Sequence, residues 1–217
     1  MSWRVFNAHA DRYDAWFDSA EGSKIFEAEV ECLDRVLPSD RTGWTEVGVG
    51  TGRFAAALGV TKGVEPSAPM LEKAEERGIS GEQARAEDLP YEADSVPGIL
   101  LVVTLCFLDD PESALAECVR VLQPGGRLLV GIVPAESSWG EFYRDKADAG
   151  HAFYSVARFY TCRQTTRMAR RAGLEFVSAA STLHTPPEEV MDDVQVRSGA
   201  KESSGFAALL FEKRDKP

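Results

Sequence analysis

The chain has 217 residues, 44% of them hydrophobic, and its 24 Lys and Arg against 35 Asp and Glu give a formal charge of −11. This length provides one α/β domain with a substantial core and is too short for a second full domain. The acidic balance argues against a nucleic-acid partner, because binding to a phosphate backbone normally needs a basic surface.

The first 40 residues are predicted to form a helical preface. Between residues 9 and 37, apolar side chains from Trp16 to Leu37 recur every three to four positions, which is the spacing of one face of a helix. A Pro-Ser-Asp sequence that begins at Pro38 ends this pattern. We therefore separate residues 1–40 from the core that follows.

Residues 41–133 alternate between predicted strands and predicted helices. Strands are expected at 43–47, 60–65, 78–85, 99–104 and 127–133. Helices are expected at 51–58, 66–77 and 111–122. The unbroken apolar run that begins at Ile99 is typical of a central strand buried on both faces. Strands that alternate with helices imply right-handed crossovers and a mostly parallel sheet.

After residue 133 the pattern changes. Residues 134–160 are rich in aromatic side chains without a clean period and are predicted to form a lid insertion. Residues 161–217 are predicted to hold a helix and two terminal strands, at 161–172, 175–182 and 206–212, with a loop at 184–204 that has room for a short helical turn. We therefore predict one Rossmann-like, doubly wound α/β domain over residues 1–217, with a seven-stranded, mostly parallel sheet.

The cysteines and the apolar segments indicate the compartment. The four cysteines are widely spaced and form no C-x-x-C pair, so neither a metal site nor a disulfide framework is predicted, and a reducing compartment fits. The first 18 residues contain three Asp and no long apolar run, unlike a signal peptide. The longest apolar run, at 99–108, has half the length that a membrane span requires. We expect a cytoplasmic protein that binds neither a metal nor a membrane.

The most informative segment is residues 44–53, W-T-E-V-G-V-G-T-G-R, followed by G-V-E-P-S at 63–67. It predicts a strand, a glycine turn, a short helix and a second strand that ends in an acid. Such a unit binds nucleotide-like cofactors, because the helix offers unpaired N–H groups and the Glu65 carboxylate can accept from two ribose hydroxyls. A dinucleotide fingerprint needs a glycine at position 53, where this chain has Arg53; its third glycine is Gly52. A nicotinamide-dependent oxidoreductase is therefore the less favoured alternative.

The compact G-x-G-x-G turn and the preceding acid, Glu46, resemble motif I of the class I S-adenosylmethionine (SAM)-dependent methyltransferases. Residues 86–91, 104–112 and 116–126 resemble three later segments of that superfamily in the same order. The chain is thus similar to a poorly characterised, methyltransferase type 11-like branch. The resemblance implies SAM as the cofactor and methyl transfer to a small-molecule acceptor by in-line displacement. A SAM-binding protein without catalysis, such as a regulatory or partner subunit, stays open.

The resemblance also implies which residues contact SAM. Residues 48–52 would wrap its amino-acid half, Glu46 would fix the turn or meet the ammonium group, and Glu65 would hold the ribose. Many relatives carry an Asp where this chain has Arg85, so the adenine contact is expected to shift to Glu87 or to nearby backbone. The implied cofactor-binding residues are Glu46, Gly48, Val49, Gly50, Gly52, Glu65, Pro66, Met70, Ala86, Glu87 and Thr104.

Aromatic side chains from the preface, from the segment after residue 104 and from the lid insertion are candidate walls of an acceptor site. Aromatic faces stabilise a sulfonium or an amine by about 0.5–2 kcal/mol each, although core packing also places such residues together. The predicted acceptor residues are Tyr13, Trp16, Phe107, Tyr143 and His151. His151 is the best candidate for a general base, but no catalytic residue is assigned. The acceptor atom (N, O, C, S or As) and the choice between monomer and homodimer stay open.

Overall fold

An eight-stranded sheet forms the centre of the part of the chain that the computed structural model describes, residues 2–187, 189 and 195–214. Its strands are β1 (Thr45–Val47), β2 (Lys62–Val64), β3 (Ser80–Glu82), β4 (Val96–Val102), β5 (Leu122–Ile132), β6 (Leu174–Thr182), β7 (Arg197–Ser198) and β8 (Phe206–Lys213). They lie in the order β3-β2-β1-β4-β5-β8-β6-β7. The first five strands pair in parallel, and β8 runs antiparallel to both β5 and β6. This confirms the predicted Rossmann-like, mostly parallel α/β fold.

The helices cover both faces of the sheet. They are α1 (Arg4–Asn7), α2 (Ala10–Trp16), α3 (Ala20–Asp34), α4 (Arg53–Ala57), α5 (Ala68–Glu76), α6 (Pro111–Val121), α7 (Ser138–Asp148) and α8 (Cys162–Ala172). Local sequence explains several boundaries: the Ser19 side chain accepts from the Gly22 N–H at the start of α3, and Thr161 and Gln164 form a capping box at the start of α8. No helix in the described part of the chain has the length and apolar character needed to cross a bilayer.

Strand β4 shows why the core has two layers. Its successive residues Ile99, Leu100 and Leu101 are all fully buried. Because neighbouring side chains of a strand point to opposite faces, Leu100 packs in the cluster that contains α3, whereas Ile99 and Leu101 pack in the cluster that contains α6 and α8. The predicted doubly covered central strand is present.

An ion-pair network fastens the preface over the turn that follows β1. The Asp14 carboxylate of α2 accepts from Arg53 Nε at 2.8 Å and from Arg77 Nη2 at 2.7 Å, and Asp18 accepts from Arg53 Nη2 at 2.7 Å. Burial alone would raise the pKa of Asp14, but hydrogen bonds from Arg53, Thr51 and Arg77 outweigh it and hold that pKa well below its usual range. The preface is therefore held directly above the glycine turn.

Two segments contain secondary structure that the sequence did not predict. The lid insertion contains the regular helix α7, which begins where the Ser137 hydroxyl accepts from the Gly140 N–H and which buries Trp139 and Tyr143. The predicted loop at 184–204 contains the two-residue strand β7, which pairs with β6 and adds an eighth strand to the predicted seven. Residues 188 and 190–194 of that loop, and any helical turn in them, lie outside the described residues.

Candidate active site

The turn between β1 and α4 accepts only glycine at several positions. Gly48, Gly50 and Gly52 have φ values of +71°, +55° and +81°, in the left-handed region that side chains rarely adopt. A Cβ atom at Gly48 would overlap the Thr104 side chain, and one at Gly52 would lie 2.9 Å from the Cα atom of Ala74. The absence of a side chain at Gly48 and Gly52 therefore lets the loop approach both the end of β4 and helix α5.

A cavity of about 80 Å³ opens beside this turn, at the carboxyl ends of β1, β2 and β4; we name it the glycine-loop cavity. Its wall also includes Ser2, Trp3 and Phe6 from the preface. The structure brings eight of the predicted cofactor-binding residues together in this wall: Gly48, Gly50, Glu65, Pro66, Met70, Ala86, Glu87 and Thr104. Residues from four separate chain segments thus converge, as the position of strand ends in a parallel sheet predicts.

Glu46, Val49 and Gly52 do not line the glycine-loop cavity. The side chain of Val49 packs in the core, where it closely approaches Gly63. Glu46 is buried, its pKa is raised well above the usual range by burial, and its Oε2 has no hydrogen-bond partner among the described residues. These three residues shape the turn from behind, and their direct contact with a cofactor stays a prediction.

The Glu65 carboxylate lies between the two halves of the predicted site. Its Oε2 accepts from the Gly50 N–H at 3.1 Å, and its Oε1 accepts from the Ser67 N–H at 2.9 Å. Burial raises the pKa of Glu65 to about 7, against the opposing effect of these two hydrogen bonds. The acid predicted at the tip of β2 therefore does face the glycine turn.

A second cavity, of about 400 Å³, lies between the preface, the core and the lid insertion; we name it the aromatic cavity. All five predicted acceptor residues line it: Tyr13, Trp16, Phe107, Tyr143 and His151. The His151 ring stacks on Tyr154 at 4.5 Å, and burial, with Arg12 and Lys146 nearby, lowers the pKa of His151. A volume of this size falls within the roughly 300–1,000 Å³ of small-molecule sites. The aromatic cavity and the glycine-loop cavity share Tyr13, Val103 and Phe107 as a common wall.

Sequence reasoning missed Glu29, which also lines the aromatic cavity. It is only 7% exposed, and no hydrogen bond or ion pair to its carboxylate occurs among residues 2–187, 189 and 195–214. Burial raises the pKa of Glu29 to about 8. The available signal was its position: Glu29 follows Ile25 by four residues and precedes Leu33 by four, within the apolar face of α3.

Comparison with known proteins identifies the family. Residues 45–130 match the family described as "Methyltransferase domain". A solved SAM-dependent methyltransferase from Thermotoga maritima, named as a possible histamine N-methyltransferase, is 36% identical, with a TM-score of 0.91 over 99% of this chain and 100% of its own. The chain belongs to the SAM-dependent methyltransferases. An uncharacterized protein of Methanocaldococcus jannaschii is 35% identical to this methyltransferase over 96% of the chain and 98% of its own length. A ubiquinone/menaquinone biosynthesis C-methyltransferase of Brucella canis is 32% identical over 58% of the chain and 53% of its own length.

The residue types of the glycine-loop cavity suit the SAM that this methyltransferase uses. Glu65 offers a buried carboxylate for hydroxyl donors, and the glycines leave the loop backbone uncovered by side chains. The enclosed volume of about 80 Å³ is nevertheless smaller than typical ligand sites. Phe6 narrows it, with its ring stacked on Phe153 at 5.1 Å and edge-on to Phe107 at 5.1 Å.

Proposed function

We propose that this methyltransferase transfers the methyl group of SAM to a small-molecule acceptor that binds in the aromatic cavity. The wall shared by the two cavities carries the proposal: Tyr13, Val103 and Phe107 line both. A methyl group bound in the glycine-loop cavity beside these residues would lie close to a molecule in the aromatic cavity. Methyl transfer needs this closeness more than it needs an elaborate set of catalytic groups.

The protein's part in the reaction is to bind, orient and exclude water. Bound SAM supplies a methyl group that is already electrophilic because it is attached to a sulfonium. Glu65 would hold the ribose hydroxyls, and the 48–52 loop would hold the amino-acid half. Tyr13, Phe107 and Tyr143 would shield the acceptor from water, since all three line the aromatic cavity.

The enclosure of the aromatic cavity supports a small acceptor over a macromolecule. Its walls come from α2, α3, α7 and the segment 151–159, which surround the space on several sides. The named relatives from Thermotoga maritima and Brucella canis carry small molecules in their names, histamine and ubiquinone or menaquinone. The net charge of −11 further disfavours nucleic acid.

The test is methyl transfer from labelled SAM to a panel of small amines, phenols, thiols and carboxylic acids, with RNA and a protein extract as macromolecular acceptors. We expect label in the small-molecule fraction. Trp16→Ala, which alters only the aromatic cavity, should raise the acceptor KM and leave the SAM Kd unchanged, whereas Glu65→Gln should weaken SAM binding. Label found only in RNA or protein would refute the proposal.

A further inference from the structure

We infer that the acceptor is an organic amine, held through its ammonium group by the Glu29 carboxylate inside the aromatic cavity. This inference rests on the proposed function, because it names the class of molecule that the aromatic cavity receives. It also assigns a role to Glu29, which does not line the glycine-loop cavity.

The first argument is the isolation of the Glu29 carboxylate. The side chain is buried on α3, yet among the described residues no cation or hydrogen-bond donor pairs with it. A buried carboxylate without a partner is costly, and proteins normally pair such groups or replace them. An acid in this position, with its side chain in the wall of a 400 Å³ cavity, therefore has its partner in the ligand.

The second argument is the chemistry of the surrounding wall. Aromatic rings from four segments of the chain line the aromatic cavity with Glu29, among them Tyr13, Trp16, Tyr143 and Tyr154. Burial raises the pKa values of Tyr13, Tyr143 and Tyr154 above the usual range, so these phenols stay neutral. Neutral aromatic faces around one carboxylate are the environment that favours an organic cation.

Arg12, Lys146 and His151 also line the aromatic cavity. Arg12 is exposed, and the Lys146 ammonium, which is half-buried, lies 4.0 Å from the centre of the Phe142 ring. Burial, together with Arg12 and Lys146, lowers the pKa of His151 and so favours its neutral ring. None of the three forms an ion pair with Glu29 among the residues that the structure describes. Their presence makes an anionic acceptor the main competitor, which the experiment below includes.

Glu29 can also take the proton that blocks the reaction. An ammonium nitrogen has no lone pair, so an N–H bond must break first, and its proton passes to a Glu29 carboxylate oxygen. The freed lone pair then forms the N–CH₃ bond while the S–CH₃ bond breaks and leaves its electron pair on sulfur. The methylated nitrogen carries the positive charge that the sulfonium has lost. Burial, which raises the pKa of Glu29 in the free protein, disfavours two separate charges inside the aromatic cavity and so supports transfer of this proton to the carboxylate.

Binding can be measured without turnover, by calorimetry in the presence of saturating S-adenosylhomocysteine at pH 7. The probes are 2-phenylethylamine, the nearly isosteric 2-phenylethanol, and phenylacetate. We expect the amine to bind at least tenfold more tightly than the alcohol. Titrations in two buffers of different ionisation enthalpy should show release of about one proton per amine bound, because Glu29 is mostly protonated at pH 7 in the free protein.

Variants assign these effects to one carboxylate. Glu29→Gln should abolish both the amine preference and the proton release, whereas Glu29→Asp, which keeps the charge, should retain the preference. Glu27→Gln is the matched control, because Glu27 lies on the same helix but is exposed. Proton release is a readout that a merely structural role of Glu29 would not change.

The outcomes separate this inference from the proposed function. Equal binding of the alcohol, tighter binding of phenylacetate, or an unchanged amine affinity in Glu29→Gln overturns the amine assignment, while a small-molecule acceptor still stands. If none of the probes binds at millimolar concentration and label from SAM reaches only macromolecules, the proposed function fails, and this inference fails with it.

Discussion

The buried Glu29 carboxylate should make the protein less stable as the pH rises. Its pKa is raised by burial from about 4.5 to about 8 in the folded state. Between these two values the folded protein retains a proton that the unfolded chain has already released. Raising the pH therefore favours the unfolded chain, so the stability contributed by this group is fully present below pH 4.5, falls steadily between pH 4.5 and pH 8, and is fully lost above pH 8.

The size of the effect follows from the two pKa values. With about 4.5 unfolded and about 8 folded, the lost stability is about 1 kcal/mol at pH 5, about 3 kcal/mol at pH 7 and at most about 5 kcal/mol at pH 8.5. Glu29→Gln removes the titrating group and keeps its shape. The free energy of unfolding of Glu29→Gln minus that of the wild type should therefore rise by about 4 kcal/mol between pH 5 and pH 8.5.

Urea unfolding at pH 5, 6, 7, 8 and 8.5 measures this difference directly. Glu46 and Glu65 also have raised pKa values, but both are present in the wild type and in the variant, so their contributions cancel in the comparison. Glu27→Gln, on the exposed side of the same helix, should follow the wild type at every pH. If the difference in unfolding free energy between wild type and Glu29→Gln stays constant within about 1 kcal/mol across this pH range, the claim that burial raises the pKa of Glu29 is wrong.

Three further predictions concern the glycine turn and its anchor. Glu65→Gln should weaken SAM binding by about 10- to 100-fold, because it removes one charged hydrogen bond. In calorimetry, the SAM affinity of the wild type should fall below pH 7, where Glu65 is protonated, and that of the variant should not. Gly52→Ala should destabilise the protein more than Gly59→Ala, since both positions have positive φ but a Cβ meets Ala74 only at the first; equal melting temperatures would contradict the packing argument. Asp14→Asn should cost about 1–3 kcal/mol in urea unfolding, because it weakens the contacts with two arginines; a neutral result would show that the network contributes nothing.

The parts of the molecule that were predictable from sequence are those set by short-range rules. The glycine turn was recognisable because positive φ values at Gly48, Gly50 and Gly52 leave few other residue types acceptable. Strand β4 was recognisable because burial on both faces demands an unbroken apolar run. The bounds of β5 were less accurate: it begins at Leu122, five residues before the prediction, where an irregular stretch still allows Leu122 to pair with Val96.

The missed features depend on distant partners. Strand β7 has two residues and exists only through its pairing with β6, which no local pattern shows. Helix α7 was hidden because its aromatic residues serve two surroundings: Trp139 is buried in the core and donates to the Thr185 carbonyl, whereas Tyr143 lines the aromatic cavity. One helix that packs on more than one side loses the clean period of a single apolar face. Glu29 was overlooked because an acidic residue within the apolar face of a helix is normally expected to be exposed to solvent.

Most residues that line only one of the two cavities come from different parts of the chain, and this division locates specificity. The wall residues proposed to hold SAM, from Gly48 to Thr104, fall within the 45–130 segment that matches the methyltransferase family. Tyr13, Glu29 and His151, which line the aromatic cavity, lie before or after that segment. The family match therefore accounts for the cofactor and is silent on the acceptor. The preface and the lid insertion also meet where the Phe6 ring stacks on Phe153. Exchange of these two segments together between relatives should therefore transfer acceptor preference, whereas exchange of either alone would break this contact.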